Sequence, residues 1–318
     1  MKVVPIDLGG SRQTCYVAPP NRPIPDPATV RLLIEQYRAR AADRSLQIGF
    51  FHGGMPDAEL LRACSGLPIR LSLNPADLDK RAAEELLEAG CTTVELEIMT
   101  IDPHVLRTCA RPYTSSQAFA MGEGLKRMGF QVGVHLVPGL PAGDVDGALR
   151  DAEYASQAEW VDFVRIWPAL GFKGATITEW ALDGSWDPWD VGQAIDIVFQ
   201  MIDILDARGK PTIRVGIQPG QDIPVRAVVG PVHPNIRGEI QSRKFGSRLR
   251  ERLKITQPGD DVVVHVNPKD LSWAKGISNI NGRTGKSLYQ LASLKFQPNP
   301  DVGRGALKVI GGKHGSND

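Results

Sequence analysis

The chain has 318 residues, 42% hydrophobic and 23% charged, with a formal net charge of +1. That composition suits one large domain, or one domain with an appendage, and an ordinary buried core. No run approaches the roughly 18 consecutive apolar residues of a membrane span. "MKVVPIDLGG" has neither an apolar signal core nor Arg-rich transit character, so a cytoplasmic location without a membrane partner is expected.

The first apolar run, "KVVPI", leads into the loop "DLGGSRQTCYVAPPN". Residues 30–43 read as a helix, with Val30, Leu33, Ile34 and Tyr37 on one face. "LQIGFFHGG" is a strand ending in glycines, "DAELLRACS" a short helix and "PIRLSL" a strand. "DKRAAEELLEAG" is a helix stopped by Gly90, followed by the strand "CTTVELEIM". A helix opened by Ser115 and stopped by Gly129 leads to the strand "FQVGVHLVPGLP". Helix "DVDGALRDAEYASQ", strand "VDFVRIWPAL", a long helix ending near Gly209 and strand "PTIRVGIQ" complete the series.

This β-α rhythm predicts parallel strands joined by helical crossovers. The strands look apolar nearly throughout, as strands covered on both faces should be. No GxGxxG follows the first strand, so a partial (β/α)6 TIM-type barrel fits better than a dinucleotide-binding sheet. The barrel is expected over residues 1–222. Residues 223–318 then form a small C-terminal α+β extension packed on it: a loop, a basic helix, the strand "DDVVVHVNPKDLS" and a final strand pair in "SLKFQPNPDVGRGALKVI".

Several local patterns are set aside. "NGRTGKS" lacks the first glycine of a P-loop, that position being Ile280. The histidines show no metal-ligand spacing, and no nucleophile elbow or Cys/His pairing appears, so no metal site or Ser/Cys hydrolase is expected. Cys64 and Cys91 read as small buried hydrophobes. Charge is uneven: residues 1–234 hold 22 Lys and Arg against 29 Asp and Glu, and residues 235–318 hold 15 against 7. Arg237, Arg243, Lys244, Arg248, Arg250, Arg252 and Lys254 cluster, with Lys244, Arg248 and Arg252 on one helical stripe. Few aromatics interleave them, so an intramolecular or protein partner ranks above RNA.

In barrels of this kind the C-terminal strand ends carry the chemistry. Taken in order, "IGFFHGGMPDAELL", "IRLSLNPADLD", "LLEAGCTTVELEIMTIDPHVL", "MGFQVGVHLVPGLPAGD", "VDFVRIWPALGFKGATI" and "KPTIRVGIQ" resemble the radical S-adenosylmethionine (SAM) superfamily. The nearest branch is Elongator-catalytic-subunit-like, close also to coproporphyrinogen-dehydrogenase-like enzymes. The resemblance implies a SAM site at the strand ends. It assigns Gly53 and Gly54 to the methionine amino group and Asn74 to a position near the methionyl moiety. Glu95 and Glu97 fall near the ribose, and Gly133 and His135 near adenine and substrate. Arg165, Lys173 and Gln218 match polar positions on later strands.

The resemblance also implies a CxxxCxxC loop whose thiolates hold a four-iron cluster. Here the matching positions are Ser11, Cys15 and Ala18 in one alignment, or Gly10, Thr14 and Val17 in another. Either leaves at most one thiolate, so no intact 4Fe-4S cluster and no radical cleavage of SAM are expected. The expectation is a pseudoenzyme that holds SAM or a related small molecule in the barrel mouth, or a protein partner, in a binding or maturation role. Polar SAM chemistry and a radical enzyme with unusual cluster ligands are the alternatives, and tRNA ranks below a protein as partner.

Overall fold

The computed structural model of the chain describes residues 2–7, 24–41, 45–51, 54–216 and 227–311. The expected cluster loop (Gly10, Ser11, Thr14, Cys15, Val17, Ala18), Gly53 and Gln218 lie outside the described residues. The chain forms two compact units, Met1–Val232 and His233–Asp318.

In the first unit the strands are β1 (Lys2–Asp7), β2 (Leu46–Phe51), β3 (Ile69–Leu73), β4 (Cys91–Met99), β5 (Gln131–Leu136), β6 (Phe163–Ile166), the short β7 (Gly171–Phe172) and β8 (Thr212–Val215). Seven of them make one parallel sheet in the order β1-β2-β3-β4-β5-β6-β8. The crossovers contain α1 (Pro27–Ala41), α2 (Ala58–Ala63), α3 (Lys80–Glu88), α4 (Pro103–Thr108), α5 (Ser115–Arg127), α6 (Val145–Gln157), α7 (Thr176–Leu182) and α8 (Val191–Ala207). Six crossovers between seven strands, with β1 and β8 unpaired to each other, make the expected partial barrel. Beyond residue 222, β9 (Ala227–Val229) pairs antiparallel with β7.

Local chemistry sets the helix ends. Asp57, Asp79, Asp144 and Asp190 each cap a helix by accepting a backbone N–H from its first turn. Helix α5 is opened by Thr114, one residue before the expected Ser115. Thr114 and Gln117 form a reciprocal capping box, with Gln117 N donating to Thr114 Oγ1 at 3.2 Å and Thr114 N donating to Gln117 Oε1 at 2.8 Å. Gly90 and Gly129 follow α3 and α5 at φ of 87° and 95°, which only glycine adopts without strain.

The strands are not apolar on both faces. One alternating set is buried and apolar: Ile48 and Phe50, Ile69 and Leu71, Val94 and Leu96, Val132 and Val134, Val164 and Ile166. The other set, facing into the half-barrel, holds Gln47, Arg70, Ser72, Thr93, Glu95, His135 and Arg165. The period-2 pleat sorts the two faces. The reading of strands covered by hydrophobes on both sides is thus corrected: the inner face is buried but polar.

In the second unit α9 (Ile236–Leu253), α10 (Leu271–Lys275) and α11 (Ile280–Leu288) accompany β10 (Asp261–Val266), β11 (Ser293–Pro298) and β12 (Leu307–Ile310). The two last strands do not pair with each other. Both flank β10, β11 in parallel and β12 antiparallel, because the more apolar β10 takes the centre. Phe245, Leu249 and Leu253 pack with Val262, Val264, Val266, Ala274 and Leu291. "NGRTGKS" lies inside helix α11, which agrees with rejecting a P-loop. The Lys244/Arg248/Arg252 stripe is interrupted, since Lys244 is on the buried face of α9 and Arg248 and Arg252 are exposed.

One buried acid joins α6 to the turn after β4. Asp151, 3% exposed, accepts from Thr100 Oγ1 at 3.0 Å and from the Ile101 amide at 2.8 Å. Burial, against those two hydrogen bonds, pushes its carboxyl up from 3.8 to about 7. A value raised in the folded state stabilises the fold at low pH, and that contribution is lost as the pH rises toward 7. Asp151→Asn keeps the acceptor and removes the titration. From about pH 5 to 8 the wild type should therefore lose stability relative to the variant, by on the order of a few kcal/mol. Parallel melting profiles for the two proteins would refute this.

Candidate ligand-binding site

The inner face converges on Glu95, in the middle of β4, which is 0% exposed. From β3, Arg70 donates Nε–H to Glu95 Oε1. From β5, His135 places Nε2 2.6 Å from Glu95 Oε2. From β6, Arg165 Nε lies 2.7 Å from the same oxygen, an ion pair whose N–H is not aimed at its partner. Burial pushes the Glu95 carboxyl up. The His135 hydrogen bond and the charges of His135, Arg165 and Arg70 outweigh it and hold the group down at about 2. Burial lowers Arg165 to about 10, opposed by Glu95 and assisted by Arg70 and by Arg214 of β8. Arg214 is the register neighbour of Arg165.

Aromatic rings line the cations. Arg70 lies 4.8 Å over the Phe163 ring, and Arg165 lies 5.4 Å over Phe51. Trp167 packs against His135 with ring centroids 4.8 Å apart. Gly133 makes room for this layer: a Cβ there would meet the Phe163 ring at 2.1 Å.

Several buried polar atoms on this face have no hydrogen-bond partner among the described residues. They are Arg70 Nη2, Arg165 Nε, Ser72 Oγ and Trp167 Nε1. Ser72 is the register neighbour of Glu95, and Trp167 packs at a tilt against its partner His135. A buried polar group left unsatisfied costs about 1–3 kcal/mol, so four of them on one wall mark a place built for an acceptor.

Of the residues singled out from the sequence, the structure brings together Glu95, His135, Arg165 and Gly133. Glu97 is half-buried further along β4, and its carbonyl accepts from Tyr113 Oη at 2.6 Å. Asn74 uses its side chain to cap the turn after β3, accepting from Ala76 N at 3.0 Å. Gly54 has φ of 85°, so a side chain there strains the backbone whether or not a ligand is near. Gly54→Val therefore cannot separate binding from stability. Lys173 is exposed in the turn after β7. Arg70, Ser72, Phe163 and Trp167 were missed. Their signal was available: polar residues at every second position of "IRLSL", and an arginine between two aromatics at every second position of "FVRIW", mark one face.

The described cysteines are poor ligands for a cluster. Burial pushes the Cys64 and Cys91 thiols up to about 11 and about 12, and Cys91 Sγ donates to the Thr93 carbonyl. Cys109 packs in an apolar cluster with Met99, Val105 and Leu140. Among the described residues no group of three or more His, Cys, Asp or Glu could hold a metal ion. None of their helices is long and apolar enough to cross a membrane.

The family model of the Radical SAM superfamily matches residues 15–152. The tRNA uridine(34) acetyltransferase of Methanocaldococcus jannaschii is 27% identical over 172 residues, 54% of this chain and 31% of that protein. Elongator complex protein 3 of Mus musculus is 27% identical over 180 residues, 55% of this chain and 31% of that protein. The chain spans about a third of the length of these curated relatives. Among solved structures, the archaeal Elp3 of Methanocaldococcus infernus with an N-terminal deletion superposes with a TM-score of 0.60 at 16% identity. That match covers 81% of this chain and 66% of the other, and the likeness is one of fold.

Glu95→Gln removes the carboxylate that Arg70 and Arg165 share. Breaking a buried ion pair at one partner costs about 3–5 kcal/mol. Chemical denaturation followed by tryptophan fluorescence should show that loss, and a loss below about 1 kcal/mol would mean that water already neutralises the cluster.

Proposed function

Because the chain belongs to the Radical SAM superfamily, we propose that it binds S-adenosylmethionine, or a close adenosyl relative, on the inner face of the half-barrel, and uses it without a cysteine-held four-iron cluster. The observation that carries the reading is the wall of unpartnered buried donors around Glu95. A ligand with a carboxylate, ribose hydroxyls and ring nitrogens offers the acceptors those donors lack. Gly54 and Asn74 at the ends of β2 and β3, with Glu97, His135 and Arg165 deeper in, are the described residues that would line it. Gly53 and Gln218 join this set on the resemblance alone.

The absence of the cluster is supported by the sequence of the loop, where Cys15 is the one thiol, and by the protonated state that burial gives Cys64 and Cys91. Bound SAM supplies an electrophilic methyl group, so polar transfer is the chemistry that fits. His135, held by an anionic Glu95, is the group that can move a proton beside it. A tRNA partner, suggested by the names of the relatives, is supported by the exposed Arg243, Arg248, Arg250, Arg252 and Lys254 of the second unit.

Calorimetric titration with SAM should give one site per chain, and incubation with acceptors should yield S-adenosylhomocysteine. Anoxic reconstitution with iron and sulfide should leave the protein colourless. About four irons per chain with a shoulder near ~400 nm, abolished by Cys15→Ala, would overturn the cluster-free reading in favour of a radical enzyme with unusual ligands.

A further inference from the structure

We propose that the open face of the β11-β10-β12 sheet is a platform for a single-stranded segment of RNA, its phosphates held by Lys295, Lys308 and the Nε2–H of His265. As an RNA site it rests on the tRNA reading above; the geometry of the face does not.

The pleat sorts the residues of this sheet in alternation. Val262, Val264 and Val266, with Leu294, Phe296, Leu307 and Val309, pack with Phe245, Leu249 and Leu253 of α9. The alternate residues turn the other way: Asp261, Val263 and His265 of β10, Lys295 and Gln297 of β11, Lys308 and Ile310 of β12. Lys295, Gln297, Lys308 and Ile310 are exposed. His265 stands between Gln297 and Lys308, and Val263 between Lys295 and Ile310. The two lysines are therefore on opposite strands and two residues apart along the sheet, about 12 Å from Cα to Cα.

Three observations on this face point to a polyanion. The side chains of Lys295, Lys308 and Gln297 make no hydrogen bond or ion pair with any described residue. The one carboxylate among the described residues of the three strands is Asp261, at the end of β10, where it already accepts from Ser293 Oγ. The tautomer of His265 is also fixed. Asn299 Oδ1 accepts from the Asp301 amide at 2.9 Å, so Nδ2 is the atom that lies 3.2 Å from His265 Nδ1. Nδ2 donates and Nδ1 accepts, so the neutral ring carries its proton on Nε2 and donates from there. Helix α9 offers less than its charge suggests, since Arg248 donates to the Gly305 carbonyl and Lys254 pairs with Glu251.

Shape and composition choose among polyanions. A flat three-stranded face does not enter the deep, narrow groove of an A-form duplex, whereas a single strand can lay both its backbone and its base edges on it. An acidic protein would want an apolar core at its contact, and here Val263 and Ile310 are the apolar residues of the face. Gln297, with a donor and an acceptor, suits a base edge.

A labelled single-stranded RNA of about a dozen nucleotides is titrated into the full chain by fluorescence anisotropy, with a duplex of the same sequence, tRNA and polyglutamate beside it. The single strand and tRNA should bind, and the duplex and polyglutamate should bind about tenfold more weakly. Lys295→Gln together with Lys308→Gln should weaken the single strand about tenfold and lower the slope of log affinity against log salt by about 0.7 per lysine. The melting temperature of that variant should stay at the wild-type value, since both side chains are exposed. His265→Ala should weaken binding as well, and Gln297→Ala should change the preference among homopolymer RNAs. Affinity and salt slope unchanged in the double lysine variant overturn the platform. If Arg250→Gln with Arg252→Gln removes binding instead, the tRNA reading stands on α9 alone. Duplex or polyglutamate binding as tightly as the single strand makes the face a general anion patch, and also overturns the platform. Oligonucleotide binding that depends on Lys295 and Lys308 while tRNA fails to bind upholds the platform and brings down only the tRNA reading.

Discussion

A carboxylate shut away from water must be surrounded by cations, and the inner face of the half-barrel is arranged around that demand at Glu95. Three neighbouring strands answer it, each from its own position in the parallel register: Arg70 from β3, His135 from β5, Arg165 from β6. Because the partners come from different strands, the ion cluster forms only when β3, β4, β5 and β6 are in correct register. A slip of one residue would turn Glu95 into the apolar outer layer and bring Leu96 inward. The cluster therefore specifies the sheet as well as furnishing it. The aromatic layer follows from the same geometry. Phe163 can lie under Arg70 because Gly133 has no side chain.

The outer face meets a different requirement. Its residues contribute packing alone, and Ile69, Leu71, Val94, Leu96, Val132 and Val164 are almost fully shielded. A half-barrel with β1 and β8 unpaired to each other keeps its stability there and leaves the inner wall to its ligand. That division of labour explains how one wall tolerates unpartnered donors that would be costly in a hydrophobic core.

How much could be read from residues alone depended on whether the signal was local. The β-α alternation and the glycine stops are local, and they brought out the barrel and most of its helices. Thr114 and Ser115 compete for one capping role, and only the reciprocal bond to Gln117 decides between them. The short helices α4, α7 and α10 have too few turns to show a period. The pairing of β12 with β10 joins residues distant in sequence, so proximity along the chain wrongly suggested β11 as its partner. Glu95, His135 and Arg165 came from resemblance to a family. Arg70 and Trp167 needed only the pleat: strands taken as uniformly apolar concealed polar positions that the alternation marks. Lys244 shows the limit of helical spacing, since packing turns one member of the Lys244/Arg248/Arg252 stripe inward.

The central place of β10 in the small sheet has a consequence for synthesis of the chain. Its hydrogen-bonding edge opposite β11 stays open until residues 307–310 arrive. Until then a growing polypeptide carries Val262, Val264 and Val266 on a strand with one bare edge, the kind of template on which neighbouring nascent chains assemble wrongly. Ribosomes spaced closely on one message would expose several such edges at once. Translation that slows before residue 307 therefore prolongs the interval in which this edge is open to wrong pairing, although the sequence of β10, β11 and α9 is already made.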